Sequence, residues 1–176
     1  MNIKEILQEM LAGPYSKQSL NDIVEIIGDD NKRLDALLDL FLHGEYRITQ
    51  KAAWVLGTVG GHNPEWIKKH LRTLLTEMQK TDRHPSIRRN ITRILELVNI
   101  PEKHHGVVLD CCIRYISDPR ETIATQSYAL GILQKLSILY PEIRPEIKMI
   151  IENRMPDASP AFRSRAKAFL KSLKEG

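Results

Sequence analysis

Apolar residues recur along this chain at intervals of three and four, the spacing that gathers them on one face of a helix. Ile3, Ile6, Leu7, Met10 and Leu11 form the first such stripe, and Gly13-Pro14 closes it. Leu20, Ile23, Val24 and Ile27 form the second. Asp30 or Asn31 can cap a third helix with the stripe Leu34, Leu37, Leu38, Phe41 and Leu42, which Gly44 ends. The pattern predicts a helix over 47–59 that stops at Gly60-Gly61. Another follows, with Asn63 as N-cap, Pro64 at its first position and the stripe Ile67, Leu71, Leu74, Leu75 and Met78. His84-Pro85-Ser86 turns the chain into a helix over 87–98, and Pro101 opens one over 102–116. Asp118-Pro119 precedes a helix over 120–139, and Pro141 and Pro145 open one over 142–155. After Met155-Pro156-Asp157, Ser159-Pro160 starts a last helix that ends near Lys174. Proline fits the first turn of a helix and cannot continue one, so these positions have a physical reason to be boundaries. No alternating strand pattern of useful length occurs, and about ten helices are expected.

Several of these helices repeat one another. Ile48, Ala52, Val55, Leu56 and Val59 fall at offsets 0, 4, 7, 8 and 11, as do Ile87, Ile91, Ile94, Leu95 and Val98, and again Phe162, Ala166, Phe169, Leu170 and Leu173. A fourth copy is expected near Ile123, giving spacings of 39, 36 and 39 residues. A helix pair cannot bury its apolar stripe alone, so a period of this length implies stacked pairs, an all-α solenoid.

The motifs that carry the repeat resemble those of HEAT repeats. Leu37-Leu38-Asp39-Leu40-Phe41-Leu42, a turn, and then Arg47-Ile48-Thr49-Gln50-Lys51-Ala52-Ala53-Trp54-Val55-Leu56-Gly57 look like one such unit. Ile87-Arg88 and Phe162-Arg163 match the opening pair of its second helix. Ala52-Ala53 and Ala166 match its small positions, and Leu56-Gly57 and Leu130-Gly131 match its Leu-Gly step. Ile123 is followed by Ala124 instead of Arg, and Ile91 stands where a small residue is usual. The resemblance implies a right-handed α-α superhelix, a single domain over 1–176 in which 1–32 form N-terminal capping helices and 33–174 about four helix-pair repeats.

Composition excludes several classes. Over 176 residues, 42% hydrophobic and 27% charged side chains are ordinary globular values, which argues against disorder. No apolar run approaches the ~20 residues of a membrane span. The mixed-charge start Met1-Asn2-Ile3-Lys4-Glu5 is not a secretion signal, and a cytoplasmic location is expected. Cys111 and Cys112 are adjacent, a strained geometry for a disulfide, and lie on an apolar stripe with Val108, Tyr115 and Ile116, so they read as core.

Charge is unevenly spread. In HEAT-like stacks the second helices line the concave face, by resemblance. Those four helices carry twelve bases (Arg47, Lys51, Arg88, Arg89, Arg93, Arg120, Lys135, Arg163, Arg165, Lys167, Lys171, Lys174) against Glu96 and Glu121, a balance of +10 in a chain of net +4. Such a surface attracts acidic partners. Arg88 and Arg163 hold the repeat's usual arginine position, where the side chain often ties the turn, and Lys167, Lys171 and Lys174 suit the polar face of an end repeat. That leaves Lys51, Arg89, Arg93 and Arg165 as charge partners, with Trp54 and Gln126 close to the same line. Trp54 can serve as an apolar anchor or a stacking platform, or pack into the neighbouring helix.

Catalytic and cofactor signals are absent. Neither G-x-x-x-x-G-K nor G-x-G-x-x-G occurs, nor G-x-S-x-G, nor H-E-x-x-H. His104-His105 and the two cysteines are about 10 Å apart along a helix, too far for one tetrahedral zinc. No cofactor or metal is expected. The chain reads as a non-enzymatic interaction module that holds an acidic protein segment on a basic face. The alternative is phosphate-backbone binding of nucleic acid by the same face, as in HEAT-like DNA-repair proteins. An enzyme without a recognisable motif is the further alternative.

Overall fold

A computed structural model describes residues 2–62 and 64–175, with side-chain detail for all of these but 61, 174 and 175. The expected cap at Asn63 and the side chain of Lys174 therefore lie outside the described residues. Ten α-helices and no strand occur among the described residues: α1 (Ile3–Ala12), α2 (Lys17–Ile27), α3 (Asn31–His43), α4 (Tyr46–His62), α5 (Pro64–Gln79), α6 (Pro85–Leu97), α7 (His105–Ser117), α8 (Ile123–Leu139), α9 (Arg144–Arg154) and α10 (Pro160–Glu175). No helix among them is long and apolar enough to cross a membrane.

Local chemistry sets the boundaries. Asn2 and Glu5 form a capping box on α1: Asn2 Oδ1 accepts from the amides of Lys4 and Glu5, and Glu5 Oε2 accepts from the amide of Asn2. Asp30 Oδ1 caps α3 by accepting from the amide of Lys32 at 2.8 Å. His84 caps α6, with Pro85 at its first position. Short 3-10 turns over Glu102–His104, Pro141–Ile143 and Met155–Asp157 occupy the proline-marked entries to α7 and α9 and the exit from α9.

Several expected boundaries move: the helices expected over 102–116 and 142–155 begin at His105 and Arg144, their first turns being 3-10. The fourth helix does not stop at Gly60-Gly61 but continues to His62, since a helix tolerates glycine at a cost of about 1 kcal/mol per residue when its apolar face is buried. The helix expected from 120 begins instead at Ile123, because Thr122 turns its hydroxyl onto the amide of Thr125 and fixes the cap there.

The chain divides into two compact units, Met1–Glu77 and Met78–Gly176. In the first, α1 pairs with α2 and α3 with α4, while α1 packs on α3 and α2 on α4. The helices α1 and α2 thus form a pair of their own beside the pair α3–α4. Leu7, Leu11, Ile23, Leu37 and Phe41 are fully buried in it. In the second unit α7 pairs with α8 and α9 with α10. The helices α6, α8 and α10 pack side by side in one row, and α7 and α9 in another. Val108, Ala129, Ile147, Phe162 and Phe169 fill the space between the rows with no exposed surface. Cys111 and Cys112 belong to this core, at 3% and 0% exposure.

Candidate functional site

The repeat frame has a structural meaning. Its first apolar residue is the third residue of each second helix: Ile48 in α4, Ile87 in α6 and Phe162 in α10. In α8 that place belongs to Thr125, fully buried, and not to Ile123, which is 50% exposed. Restarted at Thr125, the frame runs Thr125, Ala129, Ile132, Leu133 and Leu136, all buried, and the spacings become 39, 38 and 37 residues. The fourth copy expected near Ile123 thus starts two residues later, at Thr125.

The residue after each frame start ties the preceding turn. Thr49 Oγ1 donates to Gly44 O at 3.2 Å. Arg88 donates to Arg83 O at 3.4 Å and pairs with Glu121 at 3.1 Å. Arg163 donates to Met155 O at 3.1 Å and to Pro156 O at 2.7 Å. Gln126 Nε2 donates to Asp118 O at 2.7 Å. Gln126, expected near a partner-facing line, is 3% exposed and does in α8 what arginine does in α6 and α10.

Lys51 is likewise committed to the fold. Its ammonium donates to Leu11 O at 2.7 Å and to Gly13 O, meeting carbonyls at the end of α1 that have no helical partner. Trp54, one turn further along α4, is half-buried.

The remaining candidates gather in the second unit around a residue that the sequence reading counted only as an acid. Glu96 on α6 accepts from Arg165 NH2 on α10 at 2.6 Å through its carboxylate, and from Lys135 Nζ on α8 through its backbone oxygen. Gly131 lets this happen, since a Cβ there would meet Glu96 Oε1 at 2.0 Å. Arg89 and Arg93 precede Glu96 by seven and three residues, hence on the same side of α6. Arg93 makes no ion pair among the described residues. Arg165 thus holds the Glu96 carboxylate and Lys135 its backbone oxygen, with Arg89 and Arg93 on the same side of α6. Lys51 and Trp54 belong to the other unit. The signal for Glu96 was its position two turns beyond Arg89, but its reach to residue 165 depends on packing that spacing alone does not contain.

Other charges of the tally sit differently. Arg120 lies in the loop before α8, with a side chain 88% exposed, and holds Asp118 at 3.1 Å. Those hydrogen bonds keep the Asp118 carboxyl below the usual carboxylate range. Glu121 is covered by Arg88, its side chain only 6% exposed. Burial pushes the thiols of Cys111 and Cys112 upward, so both stay protonated. Both ring nitrogens of His105 are taken, Nε2 by Ile100 O at 2.7 Å and Nδ1 by the Tyr140 hydroxyl at 2.9 Å. A carbonyl can only accept, so Nε2 carries a proton and, in the neutral ring, Nδ1 accepts from Tyr140.

No curated protein and no solved structure shows significant similarity to the chain. A family model described as a HEAT repeat domain matches residues 7–173, from within α1 to near the end of α10. The match spans both units and includes the first helix pair. With its paired helices, its clamped turns and a match over nearly its whole length, the chain belongs to the HEAT repeat family.

Proposed function

We propose that the protein is a non-catalytic scaffold and that the row α6–α8–α10 of its second unit docks an acidic segment of a partner protein. HEAT repeats suggest interaction scaffolds in general. The observation that supports this surface is its wealth of cations, Arg89, Arg93, Lys135 and Arg165, beside Glu96, which pairs with Arg165. Arg93 is the leading contact because no carboxylate among the described residues neutralises it. Lys135 and Arg165 act through the Glu96 cluster and can exchange that carboxylate for one from the partner. Exposed charges such as Lys135 and Arg165 steer encounter and set salt dependence more than they add affinity. In the first unit, half-buried Trp54 on α4 is the aromatic anchor.

The test is fluorescence polarisation with a labelled peptide rich in Glu and Asp, at low and physiological salt. Arg89→Glu together with Arg93→Glu, checked for an unchanged helical spectrum, should abolish binding. Unchanged binding by that variant ends the proposal. A DNA duplex and a single strand form a further arm. If these bind, with log affinity falling by about 0.9 per neutralised phosphate per unit log salt, and the peptide does not, the surface reads nucleic acid instead.

A further inference from the structure

A recess in the Met78–Gly176 unit lies at the end of the hairpins where each second helix hands over to the next first helix. The dipeptide Pro-Glu recurs there, at Pro101-Glu102 before α7 and Pro141-Glu142 before α9, each at the start of a 3-10 turn. Between the two turns is a cavity of about 620 Å³, within the range of sites that hold organic groups. Leu109, Leu136 and Ile143 line it with apolar surface. His105 and Tyr140 form a rigid wall, their rings edge to face at 5.6 Å and fixed by the hydrogen bonds already described. Glu102 and Glu142 line it too, both exposed, against the single cation Lys103.

Gly106 gives this recess a second, independent sign of use. It lies in the first turn of α7 and lines the cavity. A Cβ there would meet nothing within 4 Å, and the one glycine of positive φ among the described residues is Gly28. Neither close packing nor backbone conformation therefore requires glycine at 106. Glycine costs a helix stability, and what it provides here is open space.

We propose that this cavity is a second docking site, for an extended segment of a partner protein that inserts a large apolar side chain beside a lysine or arginine. The apolar side chain fills the space over Leu136 and Gly106 and lies against the His105–Tyr140 wall. The neighbouring cation meets Glu102 and Glu142. Charge complementarity selects this occupant: the two carboxylates outnumber Lys103 and repel the acidic segment assigned to the α6–α8–α10 row.

The test is an amide proton–nitrogen NMR titration of the whole chain with N-acetyl-tryptophanyl-lysinamide. Saturable shifts are expected at residues 102–109 and 136–143. Gly106→Leu plugs the cavity and should abolish them, while Gly106→Ala, which leaves most of the space, confirms that substitution at 106 preserves the fold and keeps the shifts. Glu102→Gln with Glu142→Gln should weaken the probe by about two- to fivefold, the range for exposed ion pairs. The absence of saturable shifts overturns the proposal, and so does equal binding of the Trp-Glu analogue or retained binding in a folded Gly106→Leu chain. Binding of tryptamine without the dipeptide assigns the cavity to a free amine and overturns the peptide reading. Shifts at the same amides that depend only on protein concentration place a second copy there and overturn it equally.

Discussion

Glu96 on α6 rests directly on Gly131 of α8, so close that a Cβ at 131 would stand 2.0 Å from its Oε1 and 2.8 Å from its Cδ. The Leu-Gly step of the repeat thereby becomes a saddle over which one carboxylate reaches Arg165 at 2.6 Å. Gly131→Ala must push the carboxylate aside. Its gain in helix propensity, about 0.5–1 kcal/mol, is then offset by the broken pair, about 0.2–1 kcal/mol at this exposure. We expect the same substitution to be more favourable by about 0.2–1 kcal/mol in a Glu96→Ala background, the worth of the pair it no longer breaks. Urea melts of the four proteins measure this, and equal effects in both backgrounds would refute the saddle.

Gln126 predicts a graded cost for the turn clamps. It is buried, and Gln126→Ala takes from Asp118 O its side-chain donor, leaving the amide of Glu121 at 3.2 Å, at a cost of about 0.5–1.5 kcal/mol. Arg163 is exposed, so water can replace it and Arg163→Ala should cost less than about 1 kcal/mol. Denaturant midpoints compare the two, and a larger loss at 163 would contradict the assignment.

Lys51→Met keeps the stem and removes the ammonium from Leu11 O and Gly13 O. Hydrogen bonds from charged donors are worth about 1.5–3 kcal/mol, and the loss should appear at the end of α1. Hydrogen exchange should quicken for amides of residues 9–13 before other sites change. If those amides exchange at the parental rate, Lys51 is available to a partner after all.

The cysteines predict an alkaline weakness. Burial raises both thiols in the folded state, while in the unfolded chain they ionise near their ordinary value of about 8.5. The folded state binds more protons above that pH, so stability falls as pH rises past it. Cys111→Ala with Cys112→Ala should flatten the slope between pH 8 and 10. In the native protein at pH 8, iodoacetamide should label neither sulfur until denaturant is added. Rapid labelling would place a thiol at the surface.

Most of the helical pattern was legible because the apolar stripes are local. The stripe Leu34, Leu37, Leu38, Phe41 and Leu42 is buried throughout, and Asp30, Pro85 and Gly44 mark boundaries for reasons contained in a few neighbouring residues. The start of α8 was harder to place. Ile123 looked like a frame residue by its apolarity, whereas a threonine pair, Thr122 and Thr125, fixes the cap and leaves Ile123 outward. The candidate site was less legible still. Lys51 reaches back 40 residues to Leu11 O, and Arg165 reaches 69 residues to Glu96. A cation's sequence position states its charge but not which distant carbonyl or carboxylate the packing brings to it.

The turn clamps have one more consequence. Thr49, Gln126 and Arg163 each bind a carbonyl within eight residues of themselves, inside their own hairpin. Each hairpin is thus closed before it meets its neighbours, like a cassette. Such cassettes can be duplicated or excised with every surviving bend still tied, and the polar groups an excision would orphan are those bonded between hairpins, such as Lys51 to Leu11 O and Lys135 to Glu96 O.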